Sequence, residues 1–289
     1  MVVILSERGN KIILLDNSQV LIANIFSVAK QEQKIDENFI RHLVLNTYRM
    51  VKTKFGDTYG DLVICDDTSN CWRKDCFEYY KANRKKNQDK SAIDWSDVFG
   101  VMNVIRNEVR ETFPYKCLSV DRVEADDIIA VLSRKYHTSE KILIVSNDKD
   151  FQQLQRYNNV EQYSLMKKQF LVCGDPQRFL MEHIIKGDSS DGIPNVLSDD
   201  DTFMIDGKRQ KPCSKKRVEE VIDNPYNDAW KVNFERNQTM IDMTKIPDEY
   251  ESLILEEFEK DMVVNDRSKL LDYFIKNKLK NLMSSIGDF

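Results

Sequence analysis

The sequence predicts an α/β protein with a mainly parallel, doubly wound sheet flanked by helices. Three apolar runs carry that prediction, and each ends on a carboxylate. Lys11-Ile-Ile-Leu-Leu15 runs into Asp16, Leu62-Val-Ile-Cys65 into Asp66, and Lys141-Ile-Leu-Ile-Val-Ser146 into Asn147-Asp148. None alternates cleanly between apolar and polar residues, which is how a strand covered on both faces reads. Helical spacing fills the intervals: Ile40, Leu43, Val44, Thr47 and Val51 share one face, as do Val98, Val101, Met102, Ile105 and Val109. Strands alternating with helices give a parallel sheet whose functional groups gather beyond the carboxyl ends of the strands. Asp16, Asp66 and Asp148 therefore belong at one edge.

Further acids fit that edge. Glu124 and Asp127 open the segment Val123-Glu-Ala-Asp-Asp-Ile-Ile-Ala130-Val-Leu132, three residues apart on one helical face, while Ile128, Val131 and Leu132 turn inward. Asp126 between them fits equally well as a first-turn acid favoured by the helix dipole. In Ser146-Asn-Asp-Lys-Asp-Phe151 a strand gives way to a helix, so one of Asp148 and Asp150 fits an N-cap, but a cap needs only one acid. Asp188 and Asp191 sit in the turn-rich Lys186-Gly-Asp-Ser-Ser-Asp-Gly-Ile-Pro194, after a helical pattern of Phe179, Leu180, His183 and Ile184. Asx-turns account for these two aspartates when they are taken alone. So many carboxylates brought to one place would repel each other unless they served hard divalent cations acting on phosphate.

Two basic stretches accompany the acids. Trp72 to Lys90 interleaves Arg73, Lys74, Lys81, Arg84, Lys85, Lys86 and Lys90 with Trp72, Phe77, Tyr79 and Tyr80. Cations neutralise phosphates and aromatics stack on unpaired bases, so this composition suits a single-strand passage, or else a solvated linker. Gly207-Lys-Arg-Gln-Lys-Pro-Cys-Ser-Lys-Lys-Arg217 follows an acidic run at Asp199 to Asp201 and reads either as a duplex contact, through Lys208, Arg209, Lys215 and Lys216, or as a solvated loop. Over 289 residues the formal charge is −5, against a general nucleic-acid coat, yet the proposed metal-site acids supply much of that deficit.

The motifs in order are Leu-Leu-Asp16-Asn-Ser, Val-Ile-Cys-Asp66 with Trp72-Arg73, Tyr80-Lys81-Ala-Asn-Arg84, Glu124-Ala-Asp-Asp127, Ser-Asn-Asp148-Lys-Asp150-Phe, and Gly187-Asp188-Ser-Ser-Asp191-Gly192. In order and spacing this set resembles the structure-specific 5′-nuclease (flap endonuclease) superfamily, and within it the ribonuclease H group of T-even bacteriophages. The phrases Phe39-Ile-Arg-His-Leu-Val-Leu-Asn46, Cys71-Trp-Arg-Lys-Asp75 and Ser285-Ile-Gly-Asp-Phe289 extend that resemblance along nearly the whole chain.

The resemblance implies a magnesium-dependent 5′ to 3′ nuclease with ribonuclease H, exonuclease and flap activities, removing RNA primers in lagging-strand replication. It implies two magnesium ions, with manganese as substitute, held directly or through water by Asp16, Asp66, Glu124, Asp127, Asp148, Asp150, Asp188 and Asp191, with Asp126 nearby. Of the neighbours Asp66 and Asp67, the spacing to Arg73 favours Asp66 and leaves Asp67 a turn residue. The resemblance further implies a catalytic domain over residues 1–185, in which residues 72–97 form a flexible arch with a disordered tip at Lys85 to Lys90. Lys81 and Arg84 would steer the scissile phosphate. A helix-three-turn-helix-like region and a helical lobe would occupy residues 186–289. The glycines expected after Gly192-Ile193-Pro194-Asn195 are lacking, which weakens the case for a potassium ion there. Implied partners are an RNA-DNA hybrid, nicked or flapped duplex, a single-strand DNA-binding protein and a sliding clamp, for a monomer without a membrane.

The remaining features are structural. The six cysteines form no CxxC pair and there is no signal peptide or long apolar span, so an intracellular protein with reduced thiols is expected. Leu253, Leu255, Phe258, Leu270, Leu271, Phe274, Ile275, Leu279, Leu282 and Met283 follow helical spacing and predict packing in a helical carboxyl-terminal third. A PIN-type ribonuclease would be shorter and would lack Asp188 and Asp191. A non-catalytic junction-binding protein would have lost at least one acid.

Overall fold

The computed structural model describes residues 11–32, 36–89, 91, 93–260 and 267–289. Its centre is a six-stranded sheet in the order β3-β2-β1-β4-β5-β6. The strands are β1 (Lys11–Asp16), β2 (Asp61–Cys65), β3 (Lys116–Leu118), β4 (Lys141–Val145), β5 (Val160–Ser164) and β6 (Gln169–Leu171). All neighbours run parallel except β5 and β6, which form an antiparallel edge. The three strands expected from sequence are thus adjacent, in the order β2-β1-β4. Strands β3, β5 and β6 carry no comparable apolar run and escaped the sequence reading.

Strand parity divides the core in two. Ile12, Leu14, Val63, Cys65, Ile142 and Ile144 face one apolar cluster, and Ile13, Leu15, Leu62, Ile64, Leu143 and Val145 face the other. The first face is covered by α6 (Ala125–Tyr136) and α7 (Pro176–Lys186), joined by α8 (Lys215–Asp223), α9 (Lys231–Ile241) and α10 (Asp248–Glu259). The second is covered by α1 (Asn17–Glu32), α2 (Glu37–Tyr59) and α5 (Trp95–Thr112), with α11 (Arg267–Lys276) and α12 (Lys280–Met283). The chain end belongs to this second face: Phe289 is 3% exposed and meets Phe113 and Phe274 edge-on. Described residues on both sides of position 185 contribute to both clusters.

The helix readings need local correction. All five positions read for α5 are buried, but in α2 the buried face rotates to Ile40, Arg41, Val44, Leu45, Tyr48 and Val51, leaving Leu43 and Thr47 on its flank. Leu253, Leu271 and Ile275 stay exposed instead of packing. Residues 73–76 form α3 (Arg73–Cys76), and Trp72, Arg73, Phe77 and Tyr80 are buried, so the foot of the expected arch is core. Lys85 and Lys86 lie in the helix α4 (Ala82–Asp89), not in a disordered tip, while Lys90 is outside the described residues. Between α7 and α8, residues 187–214 form turns without a helix. No described helix is long and apolar enough to cross a membrane.

Candidate metal centre and nucleic-acid interface

Parity decides which acid at the end of β2 reaches the sheet edge beside Asp16. Asp16 follows Ile12 and Leu14 onto the α6 face, whereas Asp66 follows Leu62 and Ile64 onto the α2 and α5 face. There the Asp66 carboxylate lies 2.9 Å from Arg106 Nε and 3.6 Å from Arg110, and accepts a 2.7 Å hydrogen bond from Asn17 Nδ2. This corrects the preference for Asp66 as a site acid. Asp67 shares the face of Val63 and Cys65, accepts a 2.8 Å bond from Ala125 N at the start of α6, and bears on Asp16 and Asp126 through repulsion.

The same reversal occurs on α6. Its N-cap Glu124 and Asp127 close a reciprocal capping box, and both acids are occupied by cations. Asp127 is fully buried, 2.7 Å from Arg73 Nη2, and accepts a further bond from Trp72 Nε1. Glu124 contacts Arg73 at 3.1 Å and Lys81 at 2.6 Å, and accepts a bond from the Tyr80 hydroxyl. Burial pushes the Glu124 carboxyl up, but the charges of Lys81 and Arg73 outweigh it and bring it down to about 2. Cys71, Glu124 and Asp127 lie as close together as metal ligands do, yet the Arg73 guanidinium already fills their midst. Asp126, the residue between them, faces Asp16, Asp67 and Asp148, and burial plus their repulsion raises its carboxyl well above the ordinary range.

Two groups of acids emerge at the carboxyl edge of the sheet. Asp16, Asp67, Asp126 and Asp148 form one, with Ser146 Oγ donating to Asp16 at 3.0 Å. Asp150, Asp188 and Asp191 form the other, and Asp148 repels members of both. Asp148 also caps the 3-10 turn Lys149–Arg156, accepting from Asp150 N at 2.9 Å, so the cap reading applies to Asp148 and leaves Asp150 free of it. Burial raises Asp16 and Asp150 to about 7, with Asp67 and Asp148 respectively the next causes. Asp188 goes the other way despite burial, because His183, Lys149 and Ser190 bond to it. His183, read from sequence only as one apolar-face position of a helix, stands between Asp150 and Asp188.

These shifts have a consequence for metal-free protein. A carboxyl raised on folding binds more protons in the folded state than in the unfolded one, so stability falls as pH rises from its unfolded value through the folded one. For Asp16 and Asp150 the window runs from 3.8 to about 7. With chelator present, melting temperature is expected to fall by at least about 3 °C between about pH 5 and about pH 8, equivalent to about 1 kcal/mol. Excess magnesium should remove the fall. A flat or rising profile without metal would contradict these assignments.

The basic segment lies against the second group. Lys81 N donates to Asp191 O at 2.8 Å, Asn83 Nδ2 to Ser189 O at 2.8 Å, and Arg84 Nη2 lies 2.5 Å from Asp191 Oδ1. Lys81 adopts a left-handed φ of 57°, uncommon for a side-chain-bearing residue, and its ammonium reaches Glu124. Lys86 pairs with Asp206. Two expected nucleic-acid contacts are corrected by burial: Arg73 is committed to Asp127, and the Tyr80 hydroxyl to Glu124 and Asp191, so neither ring nor guanidinium is presented to a ligand. Lys208 is paired with Asp199 at 3.0 Å and with Asp201 at 2.5 Å, so the acidic run neutralises it. Lys74, Lys85, Arg209, Lys215 and Lys216 are exposed, the last two in the first turn of α8.

An acid-lined edge of a parallel sheet with cations over it is the arrangement expected of a metal-dependent phosphodiester hydrolase. The chain belongs to the 5′-3′ exonuclease family: the family described as 5′-3′ exonuclease, N-terminal resolvase-like domain matches residues 11–182, and that described as T4 RNase H, C terminal matches residues 174–289. It is 33% identical to ribonuclease H of Enterobacteria phage T4 across 96% of this chain and 95% of that one. It is 28% identical to a 5′-3′ exonuclease of Buchnera aphidicola, across 65% and 66% of the two chains. The flap endonuclease of bacteriophage T5, solved as a pseudo-enzyme-product complex with DNA and metal ions, superposes with a TM-score of 0.60 at 15% identity, covering 86% of this chain and 99% of that one. The fold and the family of nucleases are thereby fixed.

Proposed function

We propose that this nuclease is a magnesium-dependent 5′ to 3′ enzyme that cleaves RNA in RNA-DNA hybrids and trims nicked or flapped DNA, removing primers in phage-type lagging-strand replication. The observation that carries the reading is the pair of acid groups meeting at Asp148, at the edge where a parallel sheet gathers its functional side chains. Asp16, Asp67, Asp126 and Asp148 would hold one ion, and Asp148, Asp150, Asp188 and Asp191 the second, directly or through water. Carboxylates held together against their repulsion are the donor set that hard divalent cations require, so the residues fit the group. Bound there, the ions supply an activated water and neutralise the charge on the departing 3′ oxygen.

The remaining work falls to the chain itself. Lys81 and Arg84 bridge from the acids toward incoming strand, and exchange of their carboxylate partners for a phosphate would orient the scissile bond. Glu124 and Asp127 hold Arg73 and Lys81 and so act by positioning. The exposed Lys74, Lys85, Arg209, Lys215 and Lys216 supply backbone contact, with salt-sensitive binding as their signature. The DNA complex of the T5 relative supports a nucleic-acid substrate. A monomer working with a single-strand DNA-binding protein and a sliding clamp completes the proposal.

The test uses RNA-DNA hybrid, nicked duplex and flap substrates labelled at either end, with magnesium or chelator. Short products released from the 5′ label only with magnesium are expected. Cleavage without metal, or confined to 3′ ends, would refute it.

A further inference from the structure

His183 is 6% exposed, on the inner face of α7, with its two ring nitrogens turned to different carboxylates. Nε2 lies 3.1 Å from Asp188 Oδ2, and Nδ1 lies 3.4 Å from Asp150 Oδ1. The first contact has hydrogen-bond geometry. The second does not: Nδ1 and Asp150 Oδ1 are both buried and neither has a hydrogen-bond partner. Two buried polar atoms of different residues therefore stand side by side without a hydrogen-bond partner, a gap that a cation would fill.

One ligand atom from each of Asp150, His183 and Asp188 lies within 4.8 Å of the other two. We propose that the second metal position of this nuclease is a mixed nitrogen and oxygen site, in which His183 Nδ1 and Asp150 Oδ1 bind the cation while Asp188, instead of ligating the ion itself, orients the imidazole through Nε2. A carboxylate that fixes the far nitrogen of a metal-binding histidine sets its tautomer and raises its basicity. Asp188 is itself fixed by Lys149 at 2.8 Å and by Ser190 N and Oγ, so the ring has a rigid anchor. Imidazole suits borderline transition cations and adds little for magnesium, which prefers oxygen. The position therefore favours a first-row transition cation over magnesium, and manganese, the weakest nitrogen binder of that series, serves as its paramagnetic probe. The inference rests on the two-ion reading above, and deepens it by assigning different chemistry to the two positions.

The test reads nitrogen directly. Native protein loaded with manganese is expected to show nitrogen hyperfine coupling of a ligated imidazole in pulsed electron paramagnetic resonance, changing its pattern when the histidines are labelled with nitrogen-15. The chain has only three histidines; His42 lies in α2 on the opposite face of the sheet, and His137 stacks on Tyr157 at the far end of α6. His183→Gln should abolish the coupling and weaken manganese binding at one of two sites by about 10-fold to 100-fold in calorimetry. Magnesium affinity should change by less than about threefold. Two bound manganese ions without nitrogen coupling would overturn the histidine assignment alone. Failure of native protein to bind a second ion would overturn both it and the two-ion reading. The measurement on labelled native protein stands even if the variant fails to fold.

Discussion

Asp126→Asn protein is expected to fold at least as stably as the parent and to lose cleavage by about 100-fold or more. The stability follows because a carboxylate pressed against Asp16, Asp67 and Asp148 is replaced by a neutral group of the same shape. The loss of activity follows because removing even an outer partner of a metal ligand typically costs about 10-fold to 100-fold, and Asp126 is assigned to the ligand group itself. Asp67→Asn should behave alike. Asp66→Asn should do the reverse for activity, keeping cleavage within about tenfold of the parent, because its carboxylate meets Arg106 and Arg110 rather than the other acids. Melting with chelator and cleavage of a 5′-labelled hybrid at saturating magnesium separate the two classes. Activity of Asp126→Asn within tenfold of the parent would return the site to Asp66 and Asp127.

Asp127→Asn is expected to carry the largest stability loss, about 3–5 kcal/mol, because it leaves the Arg73 guanidinium buried without its principal counter-charge. Such a loss corresponds to a fall in melting temperature of about 10 °C in a chain of this size. The joint replacement of Arg73 and Asp127 by leucine should cost clearly less than the sum of the single changes, since neither charge is then stranded. Glu124 and Lys81 share this network, so some coupling to activity is expected. Additive costs would mean that the pair does not act as a unit.

These expectations depend on distinctions the sequence left open at adjacent residues. The apolar runs before Asp16, Asp66 and Asp148 identified three central strands and their parallel order, because a strand buried on both faces must be apolar throughout. That same uniformity concealed which face each strand-end residue takes. Asp66 and Asp67 differ by one position, and in a strand one position is a change of side. On α6 the step from Asp126 to Asp127 turns the side chain by about 100°. One acid then meets Asp16, and the other meets Arg73 from a segment distant in sequence.

The basic stretches show the same limit from the opposite direction. Their composition revealed cations and aromatics suited to a strand passage, but not that Arg73, Tyr80 and Lys208 were already committed to acids within the chain. Charge in a sequence is additive, whereas availability depends on what folding brings into contact.

The sequence by itself determined the α/β class, the edge at which the acids meet and the 5′-nuclease resemblance. Each of these rests on local periodicity or on motif order. Only the tertiary structure decided that Asp67 and Asp126 stand with Asp16 and Asp148, that Asp66 and Asp127 neutralise arginines, and that His183 enters beside Asp150 and Asp188. The physical reason is register: the pairing of Asp16 with Cys65 across β1 and β2 fixes which side of the sheet each following carboxylate faces, and register is a property of two strands rather than of either one.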